Sequence, residues 1–153
     1  MSGLTHVDAG GRASMVDVGD KLTTARHAEA RSVLRRMPTT IEAVTNGTAR
    51  KGAVISATGV AGVRAAERTA DLIPPCHPLA LTKFVVRTMI APDLPGLEIK
   101  AEACTNGQTG VEVETLTAVL NVCLTSRDMV EAIDRKMLIG AISIIAREGG
   151  TSG

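Results

Sequence analysis

From Leu97 to Cys104 the chain alternates almost without a break, with Leu97, Ile99, Ala101 and Ala103 on one parity and Glu98, Lys100 and Glu102 on the other. A side-chain period of two is the signature of an extended strand with one dry face and one wet face. Lys83 to Ile90 is a second period-two segment, separated from the first by Pro92-Asp93-Leu94-Pro95-Gly96. Together they predict a β-hairpin with one solvated face, and a sheet of this kind must cover its apolar face with other elements.

The flanking segments supply that cover. His27 to Arg35 alternates Ala28, Ala30 and Leu34 against His27, Glu29, Arg31 and Arg35, a strand pattern diluted by alanine. Pro38 breaks the chain, and Thr39 followed by Glu42 is a capping-box pattern that predicts a short helix ending near Gly47. Between Gly52 and Ile73 the apolar residues recur at helical spacing until Pro74-Pro75, predicting one long helix. After Asn106-Gly107 a second long helix is expected from Glu112 to Asp134, then a final strand from Leu138 to Ala146. The order β-α-β-β-α-β predicts an α+β, ferredoxin-like split βαβ fold: an antiparallel sheet with helices on one face. One domain over residues 1–153 is expected, with residues 1–24 as an arm and 149–153 as a mobile tail.

Composition narrows the function. Phe84 is the only aromatic residue in 153, which removes the stacking platform needed for single-stranded nucleic acid. A formal charge of +1 gives no polyanion signal, so an anionic ligand has to be small and held locally. Cys76, Cys104 and Cys123 are widely spaced without a CxxC, suggesting neither a disulfide framework nor a zinc ribbon; no metal ligands are expected, and a reducing cytoplasm fits. No run approaches membrane-spanning length, so no membrane partner is expected.

Three prolines in Pro74-Pro75-Cys76-His77-Pro78 fix the backbone and leave Cys76 and His77 little freedom. His77 then reads either as an acid, base or phosphate contact or as a hydrogen-bonded residue in a rigid helix stop. Adjacent residues rarely ligate one ion, which argues against a metal at Cys76-His77. Glu112 and Glu114 open a helix, where carboxylates also stabilise the dipole. Asp128 and Glu131 share a helix face three residues apart, and Lys51 stands beside Gly52 at a helix start suited to phosphate. Glu114 and Asp128 are fourteen positions apart on one helix, roughly 21 Å, so a site that uses both must take one from another subunit.

Taken in order, Leu4-Thr5-His6, Met15-Val16-Asp17-Val18, Lys51-Gly52, Arg68 to Leu79, Thr109 to Ala118 and Asp128-Met129 resemble the cyclic pyranopterin monophosphate synthase family, also called molybdenum cofactor biosynthesis protein C. The resemblance implies a ferredoxin-like subunit in a hexamer built from dimers, with active sites at a dimer interface. It implies conversion of a cyclised dihydroguanosine triphosphate to cyclic pyranopterin monophosphate with release of pyrophosphate. Matched by motif, the catalytic set is Asp128, Lys51, His77, Glu114 and Glu112. The substrate-binding set is Pro75, Cys76, His77, Val113, Glu114, Lys21, Arg26 and Arg147. No cofactor is required by this chemistry, and Mg²⁺ accompanying the triphosphate is compatible with it.

The departures from the family pattern cluster among charges. Glu131 stands where the family typically has a catalytic Lys, Glu67 and Gly59 where Lys and Arg are usual, and Arg147 and Thr151 where Lys is common. Pro75 and Val113 replace a usual Leu and Met. Two outcomes stay open: an active synthase with a substitute for the missing Lys, or an impaired paralogue that binds a pterin or nucleotide, or assembles with an active copy.

Overall fold

The computed structural model describes residues 23–40, 51–131 and 134–149, the side chains of 51–53 and 55 excepted. Within them, β1 (Thr24–Arg35), α1 (Lys51–Glu67), α2 (Thr69–Leu72), β2 (Leu81–Ala91), β3 (Gly96–Gly107), α3 (Glu112–Val130) and β4 (Leu138–Glu148) follow one another. The strands form one antiparallel sheet in the order β2-β3-β1-β4. That is the ferredoxin-like arrangement expected from the sequence. The predicted arm and tail lie almost wholly outside the described residues.

The alternation in β3 sorts the sheet as its pattern demands. Leu97, Ile99, Ala101 and Ala103 are buried and point to the helices. On the open face, Glu98 accepts from Arg31 at 2.7 Å and lies 3.5 Å from Lys100, while Glu102 meets Lys83 at 3.1 Å. The core lies between sheet and helices, where Leu34, Leu97, Ile99, Val119 and Val122 are fully buried. Each such side chain is worth about 2 kcal/mol in burial. Gly96 allows the hairpin to close, since a Cβ there would stand 2.3 Å from the Leu34 carbonyl oxygen.

Three element boundaries differ from the sequence reading. The long helix expected over Gly52 to Ile73 is two helices, broken at Arg68, whose φ of −104° and ψ of 15° leave the helical region. The buried Thr69 hydroxyl donates to the carbonyls of Ala65 and Ala66, satisfying the end of α1. The second long helix stops at Val130 and not Asp134. Asp134 is needed elsewhere: its carboxylate accepts from the Met37 N–H, the Thr40 hydroxyl and the Lys136 N–H. The short helix begins at Pro38, whose missing N–H costs nothing at a first helical position; its continuation past Thr40, including Glu42 and Gly47, lies outside the described residues. All four strands also run two to four residues longer than expected.

The topology fixes where the helix ends lie. α1 runs from the end of β1 to the start of β2, and α3 from the end of β3 to the start of β4, so the two helices are antiparallel. Their crossing is marked by Gly62, where an added Cβ would approach Val122 Cγ2 to 3.0 Å. The start of α1 and the end of α3 therefore share one end of the layer. The Pro74–Pro78 loop and the start of α3 share the other.

Candidate active site

A small second core builds the latter end. Ala28, Ala103 and Val111 are buried together, with Leu79, Leu81 and Phe84 packed on them. This cluster clamps the exit of the proline-rich loop and the residue preceding α3 against the sheet. The Thr105 hydroxyl donates to the Ala80 carbonyl, and the Cys76 N–H to the Ile73 carbonyl at 3.0 Å, fixing the loop at both ends. The lone aromatic residue thus serves as mortar under the loop.

Glu114 is the decisive side chain here. It is 5% exposed, and its Oε2 is buried with no hydrogen-bond partner. Burial raises its pKa to about 7 against a lowering by its own backbone N–H, and the charge of Glu112 adds to the rise. A carboxyl group poised near neutrality can give or take a proton at physiological pH. Burial, then the charge of Glu114, pushes the Cys76 thiol up as well. That coupling puts Cys76 within electrostatic reach of Glu114 and keeps its sulfur protonated, which suits a contact and not a thiolate nucleophile.

His77 follows Cys76 in the braced loop and is half-buried, and Glu112, whose charge reaches Glu114, has its Oε1 3.6 Å from Arg147 Nε. Pro75 and Val113 are half-buried beside them in the chain. Arg26, expected to bind substrate, is 8% exposed and spends two donors on the protein: Nε on the Gly107 carbonyl at 2.8 Å and Nη2 on the Gln108 carbonyl at 3.1 Å. It holds the turn that delivers Glu112 and Glu114. Sequence spacing gave no sign of this strut, because it joins residues more than 80 positions apart.

The opposite end is of another character. Asp128 is exposed on the last turn of α3, and Glu131 just beyond that helix faces Arg127 at 3.5 Å with both side chains largely in water. Lys51 opens α1 at this same end, although its side chain is not among those described. Lys21 and Thr151 lie outside the described residues. Beneath the surface, a network the sequence did not announce joins Arg36 to the Ser126 hydroxyl and, through charge, to Asp134. Burial lowers the Arg36 pKa to about 10 against the pull of Asp134. Burial pushes Asp134 up, but its hydrogen bonds and Arg36 hold it below the usual carboxylate range. This network anchors the end of α3.

The chain therefore places Cys76, His77, Glu112, Glu114 and Arg147 at one end of the helix layer and Lys51 and Asp128 at the other, separated by the length of α3. The fourteen residues from Glu114 to Asp128 span roughly 21 Å.

The MoaC family model matches residues 15–150. The chain belongs to the MoaC family. Relatives named cyclic pyranopterin monophosphate synthase include one from Cereibacter sphaeroides strain KD131, 50% identical over 153 residues, covering 100% of this chain and 96% of the relative. Another with that name, from Brucella ovis, is 51% identical over 154 residues, covering 100% of this chain and 93% of the relative. The MoaC matches span both ends of α3, so both half-sites lie inside the shared sequence.

Proposed function

We propose that this chain carries out the reaction its relatives are named for, within molybdenum cofactor biosynthesis: a cyclised dihydroguanosine triphosphate becomes cyclic pyranopterin monophosphate and pyrophosphate leaves. What supports the reading is the buried Glu114 carboxyl, its Oε2 without a hydrogen-bond partner and its pKa about neutral, within electrostatic reach of Cys76. Ring opening and reclosure move several protons, and a half-neutral carboxyl can serve in both directions. Glu114 and Asp128 would exchange protons with the substrate, with Glu112 tuning Glu114. His77, Arg147 and Lys51 at the α1 N-terminus would hold the phosphates and the departing pyrophosphate. Pro75, Cys76 and Val113 would form the pocket wall. No resident metal enters this scheme; Mg²⁺ arrives only on the triphosphate.

The site is completed by a second copy. A two-fold axis that sets two α3 helices antiparallel places the Glu114 end of one against the Asp128 end of the other. Leu120 and Leu124 on α3 and Val60 and Val63 on α1 leave 38%, 54%, 57% and 37% of their surface exposed, giving the helices an apolar outer seam for that contact. Three such pairs would form the hexamer. No helix among the described residues is long and apolar enough to cross a membrane, and a cytoplasmic, reducing location suits the three free cysteines.

A second reading draws on Glu131, which pairs with Arg127 where the family pattern places a Lys. On that reading the chain keeps the fold and binds a pterin or nucleotide without turnover, or assembles with an active copy. Incubating purified protein with the cyclised nucleotide and measuring the fluorescent derivative of the product separates the two. Product from wild type supports the first reading; product only after Glu131→Lys establishes the second.

A further inference from the structure

The open face of the sheet carries a cluster that the synthase reading does not use. In the strand registers His27 stands opposite Cys104, and Cys104 opposite Lys83, while Glu148 of β4 stands opposite His27. Glu102 precedes Cys104 by two residues and so shares its face. One ligand atom each from His27, Glu102 and Cys104 lies within 4.8 Å of the others. His27 Nε2 is 3.3 Å from Glu102 Oε1, and His27 Nδ1 is buried with no hydrogen-bond partner. A buried ring nitrogen without a partner calls for an explanation, and an ion is one.

We infer that His27, Glu102 and Cys104 form a binding site for one borderline-soft divalent cation of the zinc type. One imidazole, one thiolate and one carboxylate are the donor set that selects such an ion over Mg²⁺ or Ca²⁺. In a tetrahedral site with bonds of about 2.0–2.3 Å the donors sit about 3.5 Å apart, so the side chains need to close by about 1 Å. Water or Glu148 supplies the fourth position. Lys83, whose ammonium lies 3.1 Å from the same Glu102 oxygen, is the competitor that the ion displaces; its side chain is 55% exposed and free to swing away. Cys104 gives up its proton on binding, so affinity rises with pH. The ion clasps β1 to β3 next to Arg26 and Thr105, the two residues that fix the turn before α3 and the proline-rich loop, and would stiffen that end of the sheet.

Cobalt titration of the full chain under reducing conditions tests this. Cobalt at one equivalent should give a thiolate-to-metal absorption band together with the intense visible bands of tetrahedral geometry. Cys104→Ser should abolish the thiolate band, His27→Ala should weaken binding about tenfold or more, and Lys83→Met should tighten it. Absence of the bands in wild type, or their survival in Cys104→Ser, would overturn the inference. Should the variants not fold, alkylation of wild type decides: zinc should slow the labelling of Cys104 and leave that of Cys76 unchanged, and equal labelling of Cys104 with and without zinc would count against the site.

Discussion

The two ends of α3 belong to one helix yet present opposite chemistry. At its start, Glu114 is buried and near-neutral with its Oε2 unpartnered, next to a proline-braced loop and a small apolar cluster. At its end, Asp128 and Glu131 lie in water beside Arg127, above a buried Arg36–Ser126–Asp134 network that fixes the backbone. The first end is preorganised within the single chain, because its carboxyl already bears the cost of desolvation. The second is only a set of charges until something covers it. A shared site would gain from both: a dry, tuned acid from one copy and cations and a carboxylate from the other.

Breaking the wet end should cost most. Asp128→Asn should lower kcat by about 10³-fold, within the usual range for a general acid or base, with the circular dichroism spectrum unchanged. A loss under about tenfold would move proton transfer away from that end. Glu131→Lys should raise kcat at least about tenfold by removing a negative charge from the phosphate end and returning a titratable cation. Glu131→Gln, which changes only the charge, should give part of that gain; equal rates for all three would show that residue 131 lies outside the site.

The dry end has a pH signature. Because Glu114 titrates near 7 when folded and near 4.5 when unfolded, the folded state holds its proton longer. Its contribution is fully present below pH 4.5 and is lost as pH rises towards 7. Glu114→Gln should therefore match wild type at pH 4 and exceed it at pH 8, by up to about 3 kcal/mol, in denaturant titrations. An unchanged difference across that range would mean that Glu114 is not dehydrated in solution. Smallest is Gly110→Ala. A Cβ there would stand 2.2 Å from Glu112 Oε2 and must push that carboxylate aside. The expected cost is about 0.3–1 kcal/mol of stability, with a raised KM and little change in kcat.

Much of this contrast was legible in the sequence. The period-two pattern of Leu97 to Cys104 and the order of elements led to the sheet and its covered face, and fourteen residues between Glu114 and Asp128 already forbade their meeting in one chain. Local patterns failed where distant residues decide local structure. The break at Arg68 depends on Thr69 turning back onto Ala65 and Ala66, the stop at Val130 on Asp134 being held by Met37 and Thr40, and the role of Arg26 on carbonyls across the sheet. The tuned state of Glu114 was likewise invisible, since desolvation depends on how distant segments pack over the helix start. Motif resemblance and helix spacing proposed the residues and their division; the fold showed which of the described ones share each end of α3.

Subunit complementation tests the division most directly. Glu114→Gln and Asp128→Asn, each inactive alone, should regain activity when unfolded together and refolded as a mixture. Each mixed pair then holds one site with both native carboxyls, and random pairing at equal amounts gives about a quarter of wild-type turnover. Activity that stays at the level of the separate variants, in mixtures shown to contain both chains in one assembly, would contradict a site shared between copies.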